Sequence, residues 1–195
     1  MLATPPVGRG LMSPALKAAK SPLLKLLKML ATASSRFCHE SELMNRASNF
    51  AIEQFKLPLR NVVGGLPRTD FYVPGSILRI ELDTNNPIAK GMPKESIAWV
   101  ENSPVFEVSG TGVSPVERDT GKMPVPQVKV IAWYAKDRDP LLSGWLLGGD
   151  RIKGKAALVE VGMGKGRIIL FGFRPQYRGQ SLATYPLFFN AITQR

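Results

Sequence analysis

The chain has 195 residues, 26 Lys+Arg against 15 Asp+Glu, a net charge of +11 and 44% hydrophobic residues, enough for a folded core. One Cys and one His exclude a disulfide framework, a multi-cysteine zinc or iron–sulfur site, and any site needing two imidazoles. No apolar run approaches the roughly 20 residues of a membrane-spanning helix.

Residues 1–47 carry seven basic residues and two acids, a local charge of +5, and the other 148 residues hold the remaining +6 without a dense cluster. Within this extension, residues 16–32 predict a basic amphipathic helix. Leu16, Ala19, Leu23, Leu26, Leu27 and Leu30 share one face, and Ser21-Pro22 suits a helix start. Two readings stand for it. It is either a helix that packs its leucines on a domain, or a surface that meets anionic membrane or nucleic acid. A secretory signal fits poorly, because Lys20, Lys25 and Lys28 interrupt the roughly 7–15-residue apolar core such a signal needs. Pro5, Pro6 and Pro14 also argue against a transit peptide. The compartment stays unread, and residues 1–14 are expected to be disordered.

Further along, residues 46–56 predict a short helix ended by Leu57-Pro58, since a residue before proline avoids the helical region. Residues 61–67 predict a loop. Ser76 to Leu82 alternates apolar and polar residues and predicts a strand. Ile88 to Pro93 reads as irregular chain. Short strands are expected at 97–100 and 105–108, and a longer one at 128–134. Residues 156–161 and 167–173 form two β-branched runs around Gly162-Met163-Gly164-Lys165-Gly166, a hairpin signature. Residues 179–193 predict a final helix. Mixed helices and strands make the class α/β.

Residues 110–127 break this pattern. They are polar and rich in Gly and Pro, and Thr111-Gly112-x-x-Pro115-Val116 recurs nine residues later as Thr120-Gly121-x-x-Pro124-Val125. A long structureless stretch between strands is a functional loop or an insertion. The repeat resembles a translated short interspersed DNA element, which predicts a disordered insertion.

The chemistry is sparse. Cys38, His39 and Glu42 are the only local zinc candidates, and neighbouring side chains cannot readily converge on one ion. The same adjacency starves a Cys–His nucleophile pair. Gly162-x-Gly164-Lys165-Gly166 leads into a strand, whereas a phosphate loop leads into a helix. No catalytic, metal-binding or cofactor residue is therefore assigned. The most polar string is Phe173-Arg174-Pro175-Gln176-Tyr177-Arg178-Gly179-Gln180. Arg174, Gln176, Tyr177 and Arg178 either grip an anionic ligand at a strand end, or satisfy a loop and pair with acids elsewhere.

Four stretches resemble the C-terminal region of bacterial zinc-carboxypeptidase-like peptidases of the carboxypeptidase A superfamily. They are Phe71-Tyr72-Val73-Pro74-Gly75-Ser76-Ile77-Leu78-Arg79, Leu141-Leu142-Ser143-Gly144-Trp145-Leu146-Leu147-Gly148, Gly154 to Val161, and Gly164 to Arg167 with Phe171 to Gln176. In that family a metallopeptidase domain precedes a region similar to class I glutamine amidotransferases. The resemblance implies a partial amidotransferase-like, flavodoxin-like sheet over residues 48–195, interrupted at 110–127, with flanking helices, a C-terminal β-hairpin and a helix. The family's zinc ligands are a His-x-x-Glu motif and a later His, a set that one His cannot supply. Its amidotransferase relatives use a Cys at a strand-to-helix elbow and a later His, whereas Cys38 and His39 are adjacent. The resemblance thus implies a truncated, non-catalytic accessory domain whose partner is a separate metallopeptidase domain or another copy of itself. The alternatives are a stand-alone module for an anionic ligand and a basic binder of polyanions or membrane surfaces.

Overall fold

The structure is a computed structural model that describes residues 40–109, 126–164, 166–179 and 182–193, with side chains from residue 47 onward. These residues all lie within one compact unit, Cys38–Arg195. The amphipathic segment 16–32, the pair Cys38-His39 and nearly all of the expected insertion lie outside the described residues.

Helix α1 (Glu40–Gln54) leads into β1 (Leu59–Asn61), β2 (Ser76–Leu82), β3 (Glu95–Val100), β4 (Phe106–Val108), β5 (Gln127–Tyr134), β6 (Leu141–Ser143), β7 (Ala156–Met163) and β8 (Gly166–Phe171), and helix α2 (Tyr185–Thr193) follows. The eight strands form one sheet in the order β1-β4-β7-β5-β2-β3, with β8 also paired to β7 and β6 to β2. The class is mixed α/β, as composition and periodicity predict. Every strand pair among the described residues is antiparallel. A flavodoxin-like sheet is parallel, and this is where the structure departs from the resemblance. The physical reason is connectivity: a parallel pair needs a crossover of about a dozen residues or more, usually a helix. Here β7 and β8 are joined by a tight hairpin, and β2 and β3 by a stretch whose only helix is the 3₁₀ turn Pro87–Ala89.

Strand β2 follows its sequence pattern, with Ser76, Leu78, Ile80 and Leu82 buried and the residues between them half-buried. Strand β7 is different, because Ala156 to Val159 are consecutively buried, as expected of a central strand covered on both faces. It supplies both core clusters. Ala157 and Leu158 join Val73, Leu78, Ile80, Ile131, Tyr134 and Leu187, whereas Val159 and Val161 join Ala51, Leu57, Leu59 and Phe106.

The β5–β7 ladder carries two register shifts. Val130 faces Val159, but Ala132 faces Leu158, so Ile131 is an extra residue on β5. Trp133 then faces Ala156, which makes Ala157 an extra residue on β7. Strict alternation would put Val128, Val130, Ala132 and Tyr134 on one face. The first shift instead sends Val128 and Val130 to the cluster under α1, and Ala132 and Tyr134 to the larger core.

Several elements differ in extent from the sequence reading. Helix α1 begins six residues earlier than the expected 46–56. It is ended by Lys56, which adopts the left-handed region at φ 49°. The Leu57 N–H donates to the Ile52 carbonyl at 2.9 Å and the Lys56 N–H to Glu53 at 3.4 Å, a Schellman-type closure that precedes Pro58. Strands β1 and β6 were not expected, whereas β4, also three residues long, lies in the apolar run 105–108 that predicts a strand. Residues 88–93 look irregular, yet Ile88 and Ala89 are fully buried in the 3₁₀ turn, whose Asn86 cap accepts from the Ile88 N–H at 2.9 Å. The last segment divides into a 3₁₀ turn, Leu182–Thr184, and α2. Gln127, placed in the expected insertion, is the first residue of β5.

The Tyr134 hydroxyl is fully buried and donates to the Gly172 carbonyl oxygen at 2.7 Å. Gly172 leaves no room for a side chain, since a Cβ there would lie 2.5 Å from the Pro104 carbonyl oxygen and 2.9 Å from that of Ala157. Burial pushes the Tyr134 phenol well above its ordinary value of 10.0. Its neutral form is therefore favoured in the fold, and stability is lost as pH rises above 10, where the unfolded chain can ionise. Tyr134→Phe should cost about 1–2 kcal/mol at neutral pH by leaving the carbonyl unpaired. It should also flatten the alkaline fall in urea-unfolding free energy; an unchanged alkaline slope would disprove the assignment.

Candidate functional site

The polar string after β8 crosses to β3. The Arg174 N–H donates to the Trp99 carbonyl at 2.9 Å, and the two residues form an isolated antiparallel bridge. Phe173 and Arg174 are both buried, the first against the apolar core and the second beside Glu101. Arg174 Nη2 lies 3.1 Å from Glu101 Oε2, with only 5% of the arginine side chain and 19% of the glutamate side chain exposed. The guanidinium is thus committed within the fold.

Tyr177 completes the cluster. Its ring stacks on the Trp99 indole with centroids 5.0 Å apart and planes 10° from parallel. The guanidinium carbons of Arg174 and Arg178 lie 5.0 and 5.3 Å from the Tyr177 ring centre, within cation–π range. Arg178 is exposed and adopts φ 46°, in the left-handed region, and Gln176 is also exposed. Thr184 anchors the other end of the segment by donating from its hydroxyl to the Pro175 carbonyl at 2.8 Å. The four residues singled out from sequence are therefore neighbours, but with unequal roles. Arg174 and Tyr177 fasten the C-terminal segment to β3, while Gln176 and Arg178 face solvent.

Two partners were missed by sequence reasoning, Trp99 and Glu101. The expectation that the string pairs with acids elsewhere identified the chemistry but not the acid. Glu101 follows β3 by one residue and lies 73 positions from Arg174 in the chain, so no local pattern joins them.

The motifs behind the family resemblance also come together in space. The Tyr72 N–H donates to the Leu147 carbonyl at 3.2 Å and the Leu147 N–H to the Tyr72 carbonyl at 3.0 Å. Strands β2 and β6, one in each motif, pair directly. The Ser76 hydroxyl donates to the Trp145 carbonyl at 2.7 Å and accepts from the Trp145 N–H at 2.9 Å. Gly144 and Gly148 permit the approach: both have positive φ, and a Cβ would lie 2.6 Å from Ser76 Oγ and 2.3 Å from the Asp70 carbonyl respectively. The other two motifs are β7 and β8, the two strands of one hairpin.

A shallow open pocket of about 260 Å³ is lined by Asp139, Leu141, Leu146, Gly149, Asp150 and Lys153. Its charges are mutually satisfied. Lys153 Nζ donates to Asp150 at 2.7 Å, which holds that carboxyl below its ordinary range, and Asp139 accepts from the Leu141 N–H at 3.0 Å. Among the described residues no group of three or more His, Cys, Asp or Glu is placed to hold a metal ion. Comparisons with protein families, curated proteins and solved structures find no match to this chain.

Removing Arg174 leaves a largely buried carboxylate without its guanidinium. Arg174→Ala should cost about 2–4 kcal/mol in urea unfolding. In the Arg174→Ala/Glu101→Ala double mutant the cost should fall below the sum of the single changes by about 1–3 kcal/mol. Arg178→Ala should stay within about 0.5 kcal/mol of the parent. A stability-neutral Arg174→Ala would return this residue to the list of ligand-binding candidates.

Proposed function

We propose that this chain is a non-catalytic accessory domain of a zinc-carboxypeptidase-like protein, one that supports or positions a peptidase domain. The observation that carries this reading is that the motifs behind the resemblance serve packing. Phe71–Arg79 and Leu141–Gly148 clasp each other through Ser76 and Trp145, and Gly154–Val161 with Gly164–Gln176 form the β7–β8 hairpin and its fastening to β3. Residues that close a fold are what a structural domain requires; a catalytic one needs convergent reactive groups in a cleft.

The amidotransferase-like ancestry is part of the same proposal and rests on those four motifs. The antiparallel strand pairs add nothing to it, since loss of elements cannot turn parallel pairs into antiparallel ones. Composition adds support, since one His and one Cys at adjacent positions supply neither a three-ligand zinc site nor a separated Cys–His pair. The partner class is a metallopeptidase domain or a second copy of this chain. The anionic-ligand alternative retains only Gln176 and Arg178 as outward-facing groups, because Arg174 is taken up by Glu101.

The purified chain, supplemented with zinc and given blocked dipeptides, should release no C-terminal amino acid above the rate of zinc alone. Zinc-dependent release that disappears with a chelator would overturn the non-catalytic reading.

A further inference from the structure

Among the described residues, β1, β3, β6 and β8 each pair with neighbours on one side only. Strands β1 and β6 have three residues each. Strand β3 carries Glu95, which meets Arg79 and Arg138, and Arg174 bridges it at Trp99. Short length, charge and a covering segment are the ways proteins blunt a sheet edge. Strand β8 has none of these over Ile168-Ile169-Leu170-Phe171, and its register with β7 runs without a bulge. Its one charged residue, Arg167, lies 3.5 Å from Glu160 of β7.

The hydrogen bonds of β8 show what its open side takes. The Gly172 N–H donates to the Ala157 carbonyl at 2.7 Å, one step beyond the Leu158–Phe171 pair. Bonding alternates along an antiparallel strand, so Gly166, Ile168 and Leu170 turn their N–H and C=O groups toward β7. Arg167, Ile169 and Phe171 turn theirs away from it. Among the described residues, nothing bonds to the outward N–H and C=O groups of Ile169 and Phe171. The two faces of β8 are otherwise occupied. Ile169 and Phe171 pack against the larger core, and Ile168 and Leu170 join the cluster under α1. What is left open is the plane of the sheet. Another strand supplies donors and acceptors at the matching two-residue repeat, which neither a helix face nor hydrocarbon does.

We propose that this strand is β8 of a second copy, paired antiparallel about a two-fold axis at Ile169, so that two sheets join into one. The sequence of β8 is complementary to itself in this register. Ile169 exchanges hydrogen bonds with the partner's Ile169, and Arg167 and Phe171 with the partner's Phe171 and Arg167, which uses the outward-facing residues of both strands. Ile168 then lies opposite the partner's Leu170, an apolar cross-strand pair on the α1 face. The two Arg167 residues stand four positions apart along the ladder, about 13 Å, so like charges do not face each other. The inference does not depend on the accessory-domain reading, which the peptidase assay tests separately.

The test is sedimentation of the full chain, paired with residue-resolved amide hydrogen exchange at two protein concentrations. The parent should sediment as a dimer at about 100 μM and dissociate on dilution toward about 1 μM. High salt should not separate it, since the contact is main-chain and apolar. Ile169→Pro removes one outward donor from each copy and leaves the β7 ladder intact, so the dimer Kd should rise about tenfold or more. Exchange needs no substitution. In the parent, the Ile169 and Phe171 amides should exchange about tenfold more slowly at the higher concentration, while the Leu170 amide, paired to β7 in either state, keeps its rate. A parent that stays monomeric at about 100 μM overturns the proposal. So does a dimer whose Ile169 and Phe171 amides exchange equally at both concentrations, or a folded Ile169→Pro variant that dimerises like the parent; either result places the contact elsewhere.

Discussion

The paired register shifts between β5 and β7 are the constraint on which the rest of the structure depends. One extra residue on β5, Ile131, turns the second half of that strand over, and one on β7, Ala157, restores the pairing. Without the first shift Tyr134 would face away from the larger core, and its hydroxyl would lose the Gly172 carbonyl. That bond secures the residue at which the chain leaves β8 for β3. The bulges thus determine where Phe173 and Arg174 emerge. A slip of one residue in a sheet reverses every side chain, so two compensating shifts are a specific solution to covering both faces.

From that point the C-terminal segment is held by a mixture of forces. Backbone pairing with Trp99, an ion pair with Glu101, an aromatic stack and a threonine hydrogen bond act within a short stretch. Ion pairs elsewhere are more exposed. Glu107 accepts from both Lys155 and Arg60, and Lys155 is the principal cause that holds its carboxyl below the ordinary range. Glu95 likewise meets Arg79 and Arg138. These contacts tie neighbouring strands together at the surface, where solvent screens them. The pair of Arg174 and Glu101 differs because it is largely buried, so its loss would leave a poorly hydrated charge.

Much of the fold was legible where period and burial coincide. The run Ser76 to Leu82 has a period of two and forms the strand it predicts, and the turn around Gly164 separates two strands as expected. Strands β1 and β6 were not legible, whereas the equally short β4 was, because it lies in the apolar run from Val105 to Val108. Among the described residues the strand pairs are antiparallel, whereas the resemblance implies a parallel sheet, since local motifs constrain turns and contacts without specifying strand direction. The polar string stood out in the sequence with two readings open, and its division into two fastening and two outward-facing residues required the fold.

By itself the sequence determined the mixed α/β class, the exclusion of multi-histidine and multi-cysteine chemistry, the basic surface and the main strands, because these follow from composition and local periodicity. Only the tertiary structure decided the antiparallel order, the turnover of β5 and the engagement of Arg174 by Glu101. Each of these depends on residues tens of positions apart, whose meeting is set by packing and by the satisfaction of buried polar groups.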